Sequence, residues 1–191
     1  MNGQKDFLQR LVDALSNAGI PYMLSGSIGS SFHGQPRATN DVDIVIATTE
    51  SQLHSFLQSL GKDYYVSLDA VLEALRRESA FNVIDMQTGW KADFIIRRRR
   101  PFSTEEFQRR QKVSIMGLDT WIVSPEDMIL IKLEWAKNSK SDRQFEDALG
   151  VAMVQFDRLD GDYLHKWAKE LQVEGSLKQL LEQAKKRMKL G

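Results

Sequence analysis

Apolar residues recur at three- and four-residue spacing at Phe7, Leu8, Leu11, Val12 and Leu15, which predicts a helix over 6–18 stopped by Gly19. A short apolar run at 20–24 follows and reads as a strand, then Ser25-Gly26-Ser27 and a second helix over 28–32. Gly34-Gln35-Pro36 is turn chemistry, and the β-branched run at 42–47 reads as a strand. Thr48 and Thr49 are placed to cap a helix over 50–60 that ends before Gly61. Further on, 64–67 reads as a short strand and 69–77 as a helix. The runs 81–86 and 90–96 form a strand pair around Thr88-Gly89, 104–111 is helical, and 112–115 with 120–123 makes a hairpin around Gly117.

From Ser124 the apolar period becomes helical throughout: 125–137, 142–156, 162–172 and 176–189. The switch predicts an α/β core over 1–123 followed by a helical C-terminal subdomain over 124–191. No internal repeat or low-complexity linker interrupts it. The N-terminal residues are polar, and no apolar run approaches the roughly 20 residues that span a bilayer. These features predict a cytoplasmic protein without membrane association. The absence of cysteine removes thiolate metal sites and cysteine nucleophiles.

The candidate chemistry centres on Asp41-Val42-Asp43-Ile44-Val45-Ile46. On a strand, alternate side chains share a face, so Asp41 and Asp43 point one way, with Cα atoms roughly 7 Å apart, while Val42, Ile44 and Ile46 point into a core. Like charges on one face are costly unless a cation stands among them, and hard Mg²⁺ is the usual answer for paired carboxylates. Taken alone, an Asp-x-Asp triplet is equally well read as a solvated strand end. Asp93 sits inside a second strand pattern, Ala92-Asp93-Phe94-Ile95-Ile96, and needs a partner that a neighbouring strand would supply. Gly26-Ser27 lies between a strand and a helix, where free backbone N–H groups bind anions. Phosphate donors with three acids point to two-metal phosphoryl or nucleotidyl transfer.

Three stretches resemble the nucleotidyltransferase fold of the DNA polymerase β superfamily: Leu24-Ser25-Gly26-Ser27, His33 through Asp43, and Lys91-Ala92-Asp93. The pattern Arg37-x-Thr39-x-Asp41-x-Asp43 is most similar to the minimal bacterial branch of AbiEii-type and MenT-type toxins. Ser124-Pro125-Glu126-Asp127 leading to Lys132, with Arg143 and Asp147 beyond, resembles that branch's downstream helices. The resemblance spans about 24–147. It implies a mixed-sheet nucleotidyltransferase core and transfer of NMP from an NTP donor, such as ATP, to an acceptor hydroxyl. Asp41, Asp43 and Asp93 would be the catalytic, metal-binding carboxylates for Mg²⁺ or Mn²⁺. Gly26, Ser27, Arg37, Thr39 and Lys132 would contact nucleotide and phosphates. The toxin branch implies tRNA or another RNA as acceptor and a cognate antitoxin as partner. A small-molecule antibiotic acceptor, or a non-catalytic nucleotide- or RNA-binding module, is the alternative. The chain departs from the family at Ile28-Gly29, which is not a typical pairing in that opening helix.

Lys132 also stands out on its own. Its helical neighbours Met128, Ile129, Trp135 and Ala136 are apolar, so its ammonium either snorkels to solvent or meets an anion. Arg143 and Asp147, four apart, make either an exposed pair or part of a buried network. His33 lies near the nucleotide motif, whereas His54 and His165 read as ordinary positions. The charges total 26 basic and 26 acidic, yet 91–112 carries eight basic and three acidic residues, and 178–191 five and one. Neutrality therefore excludes only a uniformly basic surface. A strand continuing through Arg97 would let part of Arg97–Arg100 border the active-site cleft, and otherwise the run is a solvated face.

Overall fold

The computed structural model describes residues 3–36 and 41–189. The described residues divide into two compact units, one of 3–25 with 41–122 and one of 26–36 with 123–189.

The first unit holds helices α1 (Gln4–Asn17), α3 (Glu50–Leu60), α4 (Leu68–Arg77) and α5 (Pro101–Gln108). Its strands are β1 (Tyr22–Leu24), β2 (Asp41–Ile46), β3 (Tyr64–Tyr65), β4 (Ala80–Asp85), β5 (Lys91–Ile96), β6 (Gln111–Ile115) and β7 (Leu118–Ile122). They form one mixed sheet in the order β3-β4-β5-β2-β1-β7-β6. β2 runs parallel to β5, and β1 parallel to β7, while the remaining pairs are antiparallel. One face of the central strands is fully apolar: Val42, Ile44, Ala92, Phe94 and Val83 are buried. Phe56 of α3 packs there, its ring 5.1 Å from Phe94, which in turn stacks on Phe81 at 5.3 Å. With that face filled by helix side chains, the alternate residues of the same strands are left to the other side.

Local chemistry explains where elements begin. Thr49 and Gln52 form a reciprocal capping box, so α3 starts as its sequence predicts. β1 starts at Tyr22 rather than Ile20, because Pro21 has no N–H to offer; its carbonyl still accepts from the Ala47 N–H at 3.0 Å. α5 starts three residues before its predicted position because Pro101 fits the first helical position. The β4–β5 turn is pinned by Asp85, whose carboxylate accepts from the N–H groups of Gln87 and Thr88 and from Arg10. Burial works against that charge, but those hydrogen bonds and Arg10 prevail and hold the carboxyl below its ordinary value.

The second unit is helical: α2 (Gly26–His33), α6 (Pro125–Ser139), α7 (Asp142–Gln155), α8 (Gly161–Glu170) and α9 (Glu174–Met188). α6 packs on the other four. Its first turn is capped by Ser124, and its fully buried Asp127 accepts from Ser124 Oγ at 2.6 Å and Tyr163 Oη at 2.5 Å. None of the described helices is long and apolar enough to cross a membrane.

α2 joins this unit through close backbone approach. A Cβ on Gly29 would lie 2.8 Å from Met128 Sδ and 3.0 Å from Val123 Cγ1, which gives the unusual Ile28-Gly29 pairing a packing reason. One on Gly34 would lie 2.8 Å from the Val151 nitrogen and 2.9 Å from the Gly150 carbonyl carbon. Buried His33 bonds the Val123 carbonyl through Nε2 at 2.7 Å, while its own carbonyl accepts from Gln155 at 2.9 Å. His33 is thus a packing anchor inside the helical unit.

Two outcomes are expected from this packing. Gly34→Ala, forced against backbone that has no rotamer to yield, should cost about 1–3 kcal/mol in urea unfolding. Burial lowers the His33 pKa below its ordinary 6.5, against smaller opposing effects of the Val123 carbonyl and Glu126. A histidine kept neutral by folding contributes fully above the unfolded value and loses that contribution as pH falls through the lower folded value. The His33 ring resonances should therefore titrate below 6.5 by NMR, and His33→Gln should flatten the decline in stability between about pH 7 and pH 5.

Candidate active site

The face of the sheet opposite the helix-packed core carries the carboxylates. In the parallel β2–β5 pair, Asp43 is registered against Asp93 and Asp41 against Lys91. Because registered residues project to the same side, Asp41, Asp43, Lys91 and Asp93 share one face. β4 adds Asn82, registered against Asp93 across the hairpin. Adjacent strands lie roughly 4.8 Å apart, so the carboxylates occupy a patch two strands wide and three residues long.

The polar groups in this patch hold one another. The Asn82 amide donates to Asp93 Oδ1. Lys91 Nζ stands 3.3 Å from an Asp93 carboxylate oxygen and 3.6 Å from one of Asp41. The Asp41 side chain is 56% exposed and that of Asp93 27%. Partial burial disfavours the Lys91 ammonium, but the charges and hydrogen bonds of Asp93 and Asp41 outweigh it, and its pKa is raised above the ordinary lysine value.

Carboxylate oxygens on one open face are the donors a hard divalent cation takes. Among the described residues, no three or more His, Cys, Asp or Glu side chains are gathered into a group that could hold a metal ion as they stand. The donor set fits such a cation in its chemistry, and a lysine ammonium already stands beside the oxygens of Asp41 and Asp93.

The other sequence-predicted residues are distributed as follows. The Ser25 N–H donates to the Asp43 carbonyl at 2.9 Å, extending the β1–β2 ladder to the end of the strand, and Gly26 opens α2 with φ +53°, a left-handed value suited to glycine. Gly26 and Ser27 are grouped with the helical unit. Arg37 and Thr39 lie outside the described residues. Lys132 is 2% exposed within the helical unit; its ammonium donates to Asp147 at 2.9 Å and to Gln144 at 2.8 Å, and lies 5.9 Å from the Trp135 ring centre. Of the two outcomes its apolar stripe allows, it therefore meets an anion, and that anion is Asp147. Arg143 is exposed.

The arginine run does not border the carboxylates. β5 ends at Ile96, and the Arg97 N–H donates to the Ile46 carbonyl at 2.9 Å, at the far end of β2 from Asp41. Four residues of strand, roughly 13 Å, separate Arg97 from Asp93. Arg97 instead reaches Thr104 at 2.9 Å, and Arg110 lies over the rings of Phe107 and Trp121 at 4.4 and 5.0 Å. Burial lowers the Arg110 pKa.

Sequence reasoning assigned no role to Lys91 or Asn82. Both were within reach of it: the alternation from Lys91 to Asp93 puts them on one face, and a hairpin turning at Thr88-Gly89 pairs Asn82 with Asp93.

No family model and no curated protein matches the sequence. Solved structures do match. The antibiotic-resistance factor ANT(2'')-Ia in complex with adenylyl-2''-tobramycin is similar over 87% of this chain and 95% of its own, at TM-score 0.57 and 13% identity. An antigenic nucleotidyltransferase-like protein from Paracoccidioides brasiliensis is similar over 92% and 87%, at TM-score 0.57 and 17% identity. The lincosamide antibiotic adenylyltransferase LnuA, solved with lincomycin bound, is similar over 81% and 99%, at TM-score 0.53 and 12% identity. At such identities the likeness is one of architecture: this chain has the nucleotidyltransferase fold, a mixed α/β sheet core with a helical C-terminal part.

Proposed function

We propose that the chain is a divalent-cation-dependent nucleotidyltransferase, moving NMP from an NTP to an acceptor hydroxyl. The observation that carries this reading is the β2–β5 register, which sets Asp43 beside Asp93 with Asp41 on the same face. Asp41, Asp43 and Asp93 would hold Mg²⁺ or Mn²⁺, which when bound supplies Lewis acidity toward the α-phosphoryl group. Asp93, oriented by Asn82, takes the proton of the acceptor hydroxyl. The hydroxyl oxygen bonds to the α-phosphorus, the bond from that phosphorus to the bridging oxygen breaks, and pyrophosphate leaves. Gly26, Ser27, Arg37, Thr39 and Lys132 are assigned to nucleotide and phosphates on the motif resemblance.

The same resemblance supports membership of the AbiEii/MenT-like branch, with tRNA or another RNA as acceptor, a cognate antitoxin as partner and the cytoplasm as location. A second reading, transfer to a small-molecule antibiotic, draws on the architecture shared with ANT(2'')-Ia and LnuA. The two differ in acceptor only, since both take NMP from the same donor through the same carboxylates.

One experiment separates them. The protein is incubated with each labelled NTP and Mg²⁺, with total cellular RNA in one set and with tobramycin or lincomycin in another. Label in tRNA that disappears with Asp41→Ala supports the RNA reading, and label on the antibiotic supports the other. Label in neither would leave the fold without the proposed reaction. Asp43→Asn should lower the transfer rate at least roughly 100-fold, about 2.7 kcal/mol of barrier; full activity in that variant would refute the carboxylate assignment.

A further inference from the structure

We infer that Lys91 is a tethered counter-cation of the carboxylate patch, one that a divalent ion must displace in order to bind. The inference rests on the reading of Asp41, Asp43 and Asp93 as a cation site, and adds to it how that site is kept in the absence of nucleotide.

Three carboxylates on one face repel one another, and a patch of this kind needs positive charge to stay together. Lys91 supplies it from within the sheet. It is registered against Asp41 and lies two residues before Asp93, so its side chain rises on the same face as both. Its ammonium sits 3.3 Å from Asp93 and 3.6 Å from Asp41, between the oxygens that would ligate an ion. Asn82 donates to Asp93 Oδ1, the oxygen that also stands 3.3 Å from the ammonium, and so helps hold that carboxylate while the ammonium bridges to Asp41.

An ammonium is a point charge on a flexible stem, and the Lys91 side chain is 35% exposed. It has solvent to retreat into and no buried position to abandon. While in place, it competes as an intramolecular charge, at an effective concentration that a free ion in solution does not match. A free divalent ion therefore binds weakly. An ion arriving with a triphosphate meets a different balance, because the phosphate oxygens give the displaced ammonium a new anionic partner. Lys91 thus couples cation loading to the arrival of the nucleotide donor.

The test measures Mn²⁺ binding directly, by the loss of the free-ion EPR signal on titration into nucleotide-free protein, with urea unfolding to establish that each variant is folded. Lys91→Met should bind Mn²⁺ at least tenfold more tightly than the wild type, and Lys91→Gln likewise. Lys91→Arg, which keeps the charge, should remain within threefold of the wild type. A purely structural lysine would not give tighter binding on removal. Lys91→Met binding no more tightly than the wild type, or Lys91→Arg tightening as much as Lys91→Met, would overturn the inference alone. Mn²⁺ binding unchanged by Asp43→Asn, or undetectable in every variant, would remove the cation site itself and the inference with it.

Discussion

The parallel register of β2 against β5 is the constraint on which the candidate site depends. A shift of one residue would turn Asp93 into the helix-packed core and bring Phe94 to the open face. The shift is opposed from both sides of the sheet. On the closed side it would bury a carboxylate among Phe56, Phe81 and the apolar faces of both strands, and an unpaired charge in such surroundings is far more costly than any one apolar pairing is favourable. On the open side it would separate Asp93 from Asp43 and Lys91 from Asp41.

Hydrophobic burial and the placement of charge are thus one event. The same alternation that hides Val42, Ile44, Ala92 and Phe94 presents Asp41, Asp43, Lys91 and Asp93. The β4–β5 hairpin fixes its own register through a turn that Asp85 and Arg10 hold, and that register supplies Asn82. The site is therefore built on strands rather than on loops, which suits chemistry that requires carboxylates at fixed separations. At the other end of the strand pair Arg97 is engaged with Thr104 and the Phe107 ring and Arg100 with the Phe102 ring, so these arginines pack in their own region.

The helical unit follows a different logic. Its specificity comes from close approach and from buried polar bonds: glycines at 29 and 34 where a Cβ would meet neighbouring atoms, His33 on the Val123 carbonyl, Asp127 between Ser124 and Tyr163. Lys132 belongs to this set. A buried ammonium held by Asp147 and Gln144 stabilises the α6–α7 pairing only while its partners remain, since either charge left alone would be strongly unfavourable.

The elements follow from the order of residues alone, because apolar period and end chemistry act locally. The cap at Thr49, the turn at Thr88-Gly89 and the helical period after Ser124 can all be read from the residues, whereas the reciprocal bond from Gln52 emerged only in the fold. That Asp41 and Asp43 share a face is equally local, since alternation is a property of a single strand. Which strand lies beside β2 is set by the packed sheet, and with it that Asp93 stands opposite Asp43 and Lys91 opposite Asp41. Tertiary packing likewise decided that Lys132 faces Asp147, that His33 anchors a helix, and that the arginines leave the carboxylates. Those are pairings between segments separated along the chain. They are selected by the packing of the whole unit, which no local pattern of residues encodes.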